Sequence, residues 1–116
     1  MHAIIRKFTN VHSVESAARR SKTGIGQILR QSSGFKGYYV LDGGNGVGVS
    51  VTLFESRESA EAANEKVLAY LQDSLPDLML GDPEIISGVV LVNMSPEEPN
   101  YMPRPSPQPN TEIVYG

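Results

Sequence analysis

The middle of the chain, residues 35–54, has the sequence FKGYYVLDGGNGVGVSVTLF. Its last eight residues alternate: every odd-numbered residue from Val47 to Leu53 is apolar, while the even-numbered ones are Gly48, Ser50, Thr52 and Phe54. Such alternation is typical of a strand whose side chains point to opposite faces of a sheet. Residues 35–42 have the composition of another strand, and Gly43-Gly44-Asn45-Gly46 between them is typical of a turn. The sequence therefore predicts a β-hairpin.

Two more strands and two helices are predicted on either side of this hairpin. Residues 3–9 have strand composition, and Ser13 is a suitable N-cap for a helix that would stop at Gly34. Ser56 caps a second helix, which Pro76 should end, and residues 84–93 form the last strand. The order β-α-β-β-α-β predicts an α+β fold with an antiparallel four-stranded sheet and both helices on one face.

Apolar residues occupy both faces of this predicted sheet. Ile4 and Ile5 are adjacent, as are the residues of Tyr-Tyr-Val-Leu at 38–41 and Val-Val-Leu-Val at 89–92. Because adjacent strand residues point to opposite faces, one apolar face would be left without a covering helix. A sheet-to-sheet homodimer, forming an α+β barrel, would cover it. Burying about 600 Å² per subunit would contribute on the order of 15 kcal/mol before association costs.

Length and composition exclude several classes of protein. The 116 residues suit one domain, and the absence of cysteine excludes disulfides and thiolate metal sites. No apolar run approaches the ~20 residues that span a membrane. The first ten residues have no signal-peptide pattern. We therefore expect a cytoplasmic protein with no membrane partner.

Charge is unevenly distributed along the chain. Residues 1–36 hold seven bases and one acid, a net charge of +6, whereas residues 37–116 hold three bases and twelve acids, a net charge of −9. The asymmetry is typical of an anionic partner or of two halves that attract each other. In the predicted fold the helices lie side by side, the first basic and the second acidic, so attraction between them can explain the asymmetry. The alternative is an anion-binding basic face on the first helix.

The end of the chain has a different composition. Six of the eight prolines lie at positions 96–109, which favours extended polyproline geometry and excludes a helix. We therefore predict a folded domain over residues 1–95 and a proline-rich arm over residues 96–116. Two interpretations of the arm stay open: a flexible tail, or a segment that docks on a neighbouring subunit through Ile113, Val114 and Tyr115.

Two stretches of the chain resemble the antibiotic biosynthesis monooxygenase-like group of the dimeric α+β barrel superfamily. Gly34-Phe35 followed by Gly37-Tyr38-Tyr39 is similar to the Gly-Phe that opens that family's second strand. Residues 49–60, VSVTLFESRESA, are similar to its passage from the third strand into the second helix. The resemblance covers residues 1–94. It implies the ferredoxin-like fold, a homodimer, and a ligand pocket between the sheet and the helices of each subunit.

The resemblance also implies which residues to compare. Some members oxidise aromatic polyketides without metal or flavin, and relatives degrade haem. Their sites commonly use an Asn from the first strand, a Trp at the end of the third, and a His or Arg beyond. This chain has Asn10 just past the first strand and Phe54 in the place of the Trp, contains no Trp, and has no His after His12. These differences argue against haem degradation.

The resulting hypothesis is a small homodimer that binds a small apolar or aromatic molecule. Its enzymatic version is a cofactor-independent monooxygenase, with no cofactor or metal in either case. The alternatives are a non-catalytic interaction or assembly module and a ligand sensor of the same fold.

Five residues are candidates for ligand binding: Asn10, His12, Tyr39, Phe54 and Tyr70. An amide can orient a substrate oxygen and a histidine can act as a base, although the first two also suit a loop that caps the first helix. Tyr38 and Tyr39 should point to opposite faces, one towards the pocket and the other towards the dimer interface. Phe54 suits stacking on an aromatic ligand and Tyr70 suits the pocket mouth, but both also suit core packing.

Nucleotide, nucleic-acid and metal sites are not indicated. Gly24-Ile25-Gly26 has no strand before it and no third Gly, unlike a dinucleotide-binding loop. The RNA-recognition fold has the same element order, but the base-stacking positions of its third strand hold Val here. The net charge of −3 also opposes phosphate binding. Two histidines and scattered carboxylates give no metal-ligand spacing.

Overall fold

A computed structural model describes residues 1–96 of the chain. The elements in chain order are β1 (His2–Phe8), α1 (Val14–Arg30), β2 (Phe35–Gly44), β3 (Val47–Phe54), α2 (Arg57–Ser74), a 3-10 turn (Pro76–Met79) and β4 (Glu84–Val89). The predicted order is confirmed. The proline-rich arm, apart from Pro96, lies outside the described residues, so its boundary and both interpretations of it stay predictions.

The four strands form one antiparallel sheet in the order β2-β3-β1-β4. Both helices pack on the face to which Ile4 and Phe54 point, α1 against β2 and α2 against β1 and β3. This is the predicted ferredoxin-like arrangement. Within residues 1–96, neither helix is long and apolar enough to cross a lipid bilayer.

Each helix begins at the serine predicted to cap it. Ser13 Oγ accepts a hydrogen bond from the Ser16 N–H at 3.2 Å, and Ser56 Oγ accepts one from the Ser59 N–H at 3.1 Å. These bonds satisfy N–H groups that have no partner inside the first helical turn. The serines therefore set where the helices start, as their sequence positions indicate.

α1 ends earlier than predicted, at Arg30. Gly34, the expected stop, instead lies at the start of β2 with a φ of +77°. This left-handed conformation is easy for glycine and strained for other residues. The Gly34 carbonyl accepts a hydrogen bond from the Glu55 N–H at 2.8 Å. Gly34 therefore ties the beginning of β2 to the end of β3.

The hairpin turn is also shorter than predicted. β2 continues through Gly44, and Asn45 and Gly46, with φ values of +54° and +77°, form the turn. Two successive positive φ values are characteristic of the type I′ turn, whose twist matches that of the flanking strands. The Val11 N–H donates to the Gly46 carbonyl at 2.9 Å, which attaches the β1–α1 loop to the hairpin.

β4 ends at Val89 rather than at the predicted Asn93, and the cause is topological. Its neighbour is β1, which begins at His2, and His2 is the register partner of Val89. Beyond this pair the Val90 N–H donates to the Met1 carbonyl at 2.9 Å. Residues 90–93 have strand composition but no further strand beside them within the described chain, and Leu91 is 89% exposed.

The helix-covered face of the sheet carries several polar side chains. On β3, Ser50, Thr52 and Phe54 are all buried under the helices. On β1, the buried residues include Arg6 beside Ile4. An apolar core from sheet and helices surrounds these groups: Ile4, Ile25, Leu29, Phe54, Ala60, Ala63, Val67, Leu71 and Leu75.

The uncovered face is the more apolar one. One register row crosses all four strands and contains Tyr39, Val51, Ile5 and Ile86. Tyr39 and Ile86, at the two edges of the row, are 59% and 56% exposed. The predicted apolar face without a covering helix is therefore confirmed. The homodimer that would cover it stays a prediction.

Candidate functional site

A cleft lies between α1 and the sheet. Most of its lining is apolar, with Val14, Ala18 and Ile25 from α1 facing Phe8 and Val40 from the strands. The cavity volume of the cleft is only about 50 Å³. The cleft is therefore a narrow slot, at the location that the resemblance implies.

The polar wall of the cleft is built around Arg6, which is 1% exposed. Its Nε–H donates to Asn64 Oδ1 of α2 at 2.7 Å. Its two Nη atoms donate to Ser50 Oγ at 3.3 Å and to Thr52 Oγ1 at 3.4 Å, both on β3. These three acceptors are neutral, and two of the bonds are long.

The charge of Arg6 is not matched by an acidic side chain in the described part of the chain. Desolvation by burial lowers the pKa of Arg6 to about 10, so the guanidinium is protonated at neutral pH. The ion pairs of residues 1–96 involve other, well-exposed side chains: Glu15–Arg19, Arg20–Asp77, Lys36–Glu55 and Arg57–Glu61. A buried cation without a carboxylate partner is unfavourable, which makes Arg6 the strongest functional signal in the cleft.

Tyr38 lies beside Arg6 in the same cleft. Burial raises the pKa of Tyr38, while a hydrogen bond with Ser21 of α1 and the charge of Arg6 act in the opposite direction. The phenol is therefore protonated at neutral pH. Tyr38 and Ser21 add two hydroxyl groups to the wall formed by Arg6 and Ser50.

The two helices are held together by packing more than by charge. The expected attraction between them amounts, within residues 1–96, to one contact of 3.6 Å between Arg20 and Asp77, and Asp77 lies in the 3-10 turn beyond α2. The Tyr70 ring of α2 lies directly against Gly24 of α1, which leaves no room for a Cβ at that position. The glycine therefore serves close helix packing.

Of the five predicted site residues, three lie at the surface. Asn10 and His12 are exposed in the β1–α1 loop, and Val11 between them is the residue that lines the cleft. Tyr39 lies on the uncovered face, so Tyr38 is the tyrosine of this pair that faces the cleft.

The other two predicted residues pack in the helix-covered half. Phe54 is fully buried, and its ring centroid lies 5.8 Å from that of Phe35. Tyr70 is half-buried against Gly24. Neither residue is part of the cleft lining. Ligand binding by the five predicted residues stays a prediction, and the structure brings a different polar set to the cleft.

Sequence reasoning does not single out Arg6 because basic residues of strands usually face water. One signal was available. Arg6 has the same parity on β1 as Ile4 and Phe8, so a charged side chain shares a face with apolar ones. Among residues 1–96, no three His, Asp or Glu side chains are grouped so that they could hold a metal ion.

Comparison with known proteins shows relatives in structure alone. No protein-family profile matches the chain, and no curated protein matches it significantly. The NE2512 protein of unknown function from Nitrosomonas europaea has a TM-score of 0.66 at 16% identity, over 84% of this chain and 95% of that one.

Two oxygenases also match. The ActVA-Orf6 monooxygenase of Streptomyces coelicolor, solved with nanaomycin D, has a TM-score of 0.61 at 16% identity, over 82% of this chain and 91% of that one. SnoaB, a cofactor-independent oxygenase from Streptomyces nogalater, has a TM-score of 0.57 at 14% identity, over 84% of this chain and 97% of that one. Identities this low show a common fold and do not transfer an activity. The chain therefore has the ferredoxin-like α+β fold of the antibiotic biosynthesis monooxygenase-like proteins.

Proposed function

We propose that this chain forms a sheet-to-sheet homodimer in which each subunit binds a small, largely apolar aromatic molecule in the cleft between α1 and the sheet. The observation that carries the proposal is the cleft itself, which has an open mouth, a surface that is almost wholly apolar, and a few polar residues among those that line it: Arg6, Ser21, Tyr38 and Ser50. Small-molecule sites commonly have this composition, because apolar walls provide affinity and the polar groups fix orientation.

The shape of the cleft favours a flat ligand. α1 presents small side chains to it, Ala17, Ala18 and Ser21, and Gly48 of β3 adds no side chain on the opposite wall. A Cβ at Gly48 would lie 3.3 Å from Val14 Cγ1, so helix and strand already approach closely there. A planar ring displaces the helix least when it enters a slot between two such walls.

The homodimer is supported by the uncovered face. The row of Tyr39, Val51, Ile5 and Ile86 is apolar along its whole length, and monomers rarely expose a continuous apolar patch of this kind. A second copy offers the same flat, apolar face, which is self-complementary about a two-fold axis.

The finer proposal is oxygenation of the bound aromatic molecule without a cofactor, supported by the fold that the chain has in common with ActVA-Orf6 and SnoaB. In such a reaction the substrate supplies the electrons. A ring CH₂ group becomes a carbonyl, four electrons pass to O₂, one oxygen atom enters the product and the other leaves as water. The role of the cleft would be to hold the substrate and to exclude bulk water from it.

The test of ligand binding is thermal denaturation with a panel of naphthoquinones and anthraquinones. We expect the unfolding temperature to rise with ligand concentration, since a ligand that binds the folded state stabilises it. Ala18→Phe, which places a ring in the cleft, should abolish the rise. Ala62→Phe, on the exposed side of α2, is the matched control and should retain it. A panel that leaves the unfolding temperature unchanged contradicts the proposal.

Oxygenation is tested separately on whichever panel member binds. For an anthraquinone, the corresponding anthrone, which has a ring CH₂ in place of one carbonyl, should consume O₂ and yield the anthraquinone faster with the wild-type chain than with Ala18→Phe. Binding without O₂ consumption would favour the ligand sensor. A dimer that binds nothing would favour the assembly module.

A further inference from the structure

The polar wall of the cleft contains a charge that the described chain does not balance. Arg6 is buried and cationic, and no carboxylate of residues 1–96 forms an ion pair with it. Burying a lone charge is one of the more costly arrangements in a protein, and such charges are usually paired. Arg6, beside the cleft, is therefore a buried positive charge that a negatively charged group would stabilise.

The hydrogen bonds of Arg6 leave capacity for another acceptor. A guanidinium has five N–H donors, and the three acceptors found within residues 1–96 are an amide and two hydroxyl oxygens. The Asn64 bond fixes the Nε edge of the guanidinium. The bonds to Ser50 and Thr52, at 3.3 and 3.4 Å, are long and hold the Nη atoms weakly. Because Arg6 is 1% exposed, a ligand would reach its Nη atoms by displacing these two hydroxyl groups.

The neighbours of Arg6 define what kind of acceptor fits. Tyr38 and Ser21 bring hydroxyl groups to the same cleft, while the remaining walls are apolar. An anionic oxygen there would receive charge-assisted hydrogen bonds from a fixed, planar donor. The body of the same molecule would lie against Val14, Ile25 and Phe8.

Building on the proposed function, we propose that the ligand of this cleft is an apolar ring system carrying an oxyanion, and that Arg6 is the residue that binds this oxygen. The chemical class comprises aromatic carboxylates, phenolates and enolates. Asn64 acts as a positioning residue, because it orients the guanidinium without facing the ligand. In the oxygenase version of the function, the same contact stabilises the deprotonated substrate.

The test compares isosteric ligands that differ in charge. Three pairs of increasing size serve as probes: benzoate and benzamide, 2-naphthoate and 2-naphthamide, and anthracene-2-carboxylate and its amide. Binding to the full chain is measured by titration calorimetry at neutral pH. We expect at least one carboxylate to bind about tenfold more tightly than its amide, the difference that one charge-assisted hydrogen bond provides.

Two variants assign the preference to Arg6. Arg6→Met should weaken carboxylate binding to the level of the amide and leave amide binding unchanged. Arg57→Met removes an exposed arginine of α2, changes the net charge equally, and should keep the preference. Equal affinity of the wild type for carboxylate and amide overturns the inference and leaves the proposed function standing. Failure of all six probes to bind overturns both.

A second measurement needs the wild type alone, in case Arg6→Met does not fold. 4-Nitrophenol is titrated with protein at a pH below its solution pKa, where it is mostly neutral and its phenolate absorbs visible light. Stabilisation of the phenolate by Arg6 should increase the visible band several-fold on binding. A bound 4-nitrophenol that stays neutral overturns the inference.

Discussion

The two faces of β3 differ in polarity, and over residues 49–53 the arrangement is the reverse of the usual one. On β3, the residues under the helices are Ser50 and Thr52, whereas those on the open face are Val49, Val51 and Leu53. In most one-sided sheets the apolar parity is the buried one. The difference teaches that alternation identifies which side chains share a face but does not identify which face is covered.

Each departure from the usual arrangement has its own consequence. Polar groups under the helices need hydrogen-bond partners, and Arg6 finds only neutral ones within the described chain, which supports the proposed ligand site on the covered face. Apolar groups on the open face are stabilised by a second apolar surface, which supports the proposed dimer. The two proposals therefore concern opposite faces of one sheet.

The largest effect is expected on the open face. Val51 lies in the middle of the apolar row, so Val51→Lys would bury an unpaired charge in the proposed dimer interface. We expect dissociation at micromolar concentration, with the dimer Kd raised at least about a hundredfold, which corresponds to roughly 3 kcal/mol. Analytical ultracentrifugation should show the sedimenting mass fall by half.

The control for this prediction places the same charge elsewhere. Ala62→Lys, on the exposed side of α2, should leave the sedimenting mass unchanged. Two results would contradict the proposed dimer interface on the open face. One is a wild-type chain that sediments as a monomer, and the other is a Val51→Lys variant that keeps the wild-type mass.

An intermediate effect is expected on the covered face. Asn64→Ala removes the acceptor of the 2.7 Å bond from Arg6 and leaves a buried donor unpaired, which should lower the free energy of unfolding by about 1–3 kcal/mol. Asn93→Ala, at an exposed amide, should change it by less than ~0.5 kcal/mol. Urea unfolding measures both.

A double variant sharpens this prediction. Arg6→Met with Asn64→Leu removes the buried charge together with its acceptor, and should recover most of the stability lost in Asn64→Ala. If Asn64→Ala is as stable as the wild type, the polar network under the helices does not have the form described.

The smallest effect is expected in the helix layer that separates the covered face from water. Gly26 has open space where a Cβ would stand, so Gly26→Ala should stabilise α1 by up to ~1 kcal/mol through helix propensity. Gly24 is in contact with the Tyr70 ring, so Gly24→Ala should destabilise the fold by about 1 kcal/mol despite the same propensity gain. Thermal unfolding of the two variants should therefore shift in opposite directions. Equal shifts would show that Tyr70 does not hold the helices together.

The fold could be predicted because its signals are local. The alternation of Val47–Phe54 defines a strand, and Ser13 and Ser56 place the helix starts within one residue. The errors arise where a distant element decides. The end of β4 depends on where β1 begins. Gly34 does not end α1, because it is hydrogen-bonded to Glu55 and joins the start of β2 to the end of β3.

The candidate site could be predicted much less well. Its location between helices and sheet follows from the fold, but its residues depend on which parity of each strand lies under the helices. Tyr39 was predicted and Tyr38 faces the cleft, because adjacent residues with the same chemistry cannot be distinguished before the covered face is known. Arg6 is buried because it lies on the helix-covered face of β1, an inner strand flanked by β3 and β4, whereas Lys7 on the same strand is exposed.

Alternate residues of β3 serve the two faces of the sheet: Ser50 lines the cleft, and Val51 lies on the opposite face. A point substitution in β3 changes one face of the strand and leaves the other face unchanged. Inserting a single residue would move every strand residue on one side of the insertion to the other face, so that valines point inward and hydroxyl groups outward. The strand should therefore vary by replacement over evolution and almost never by length.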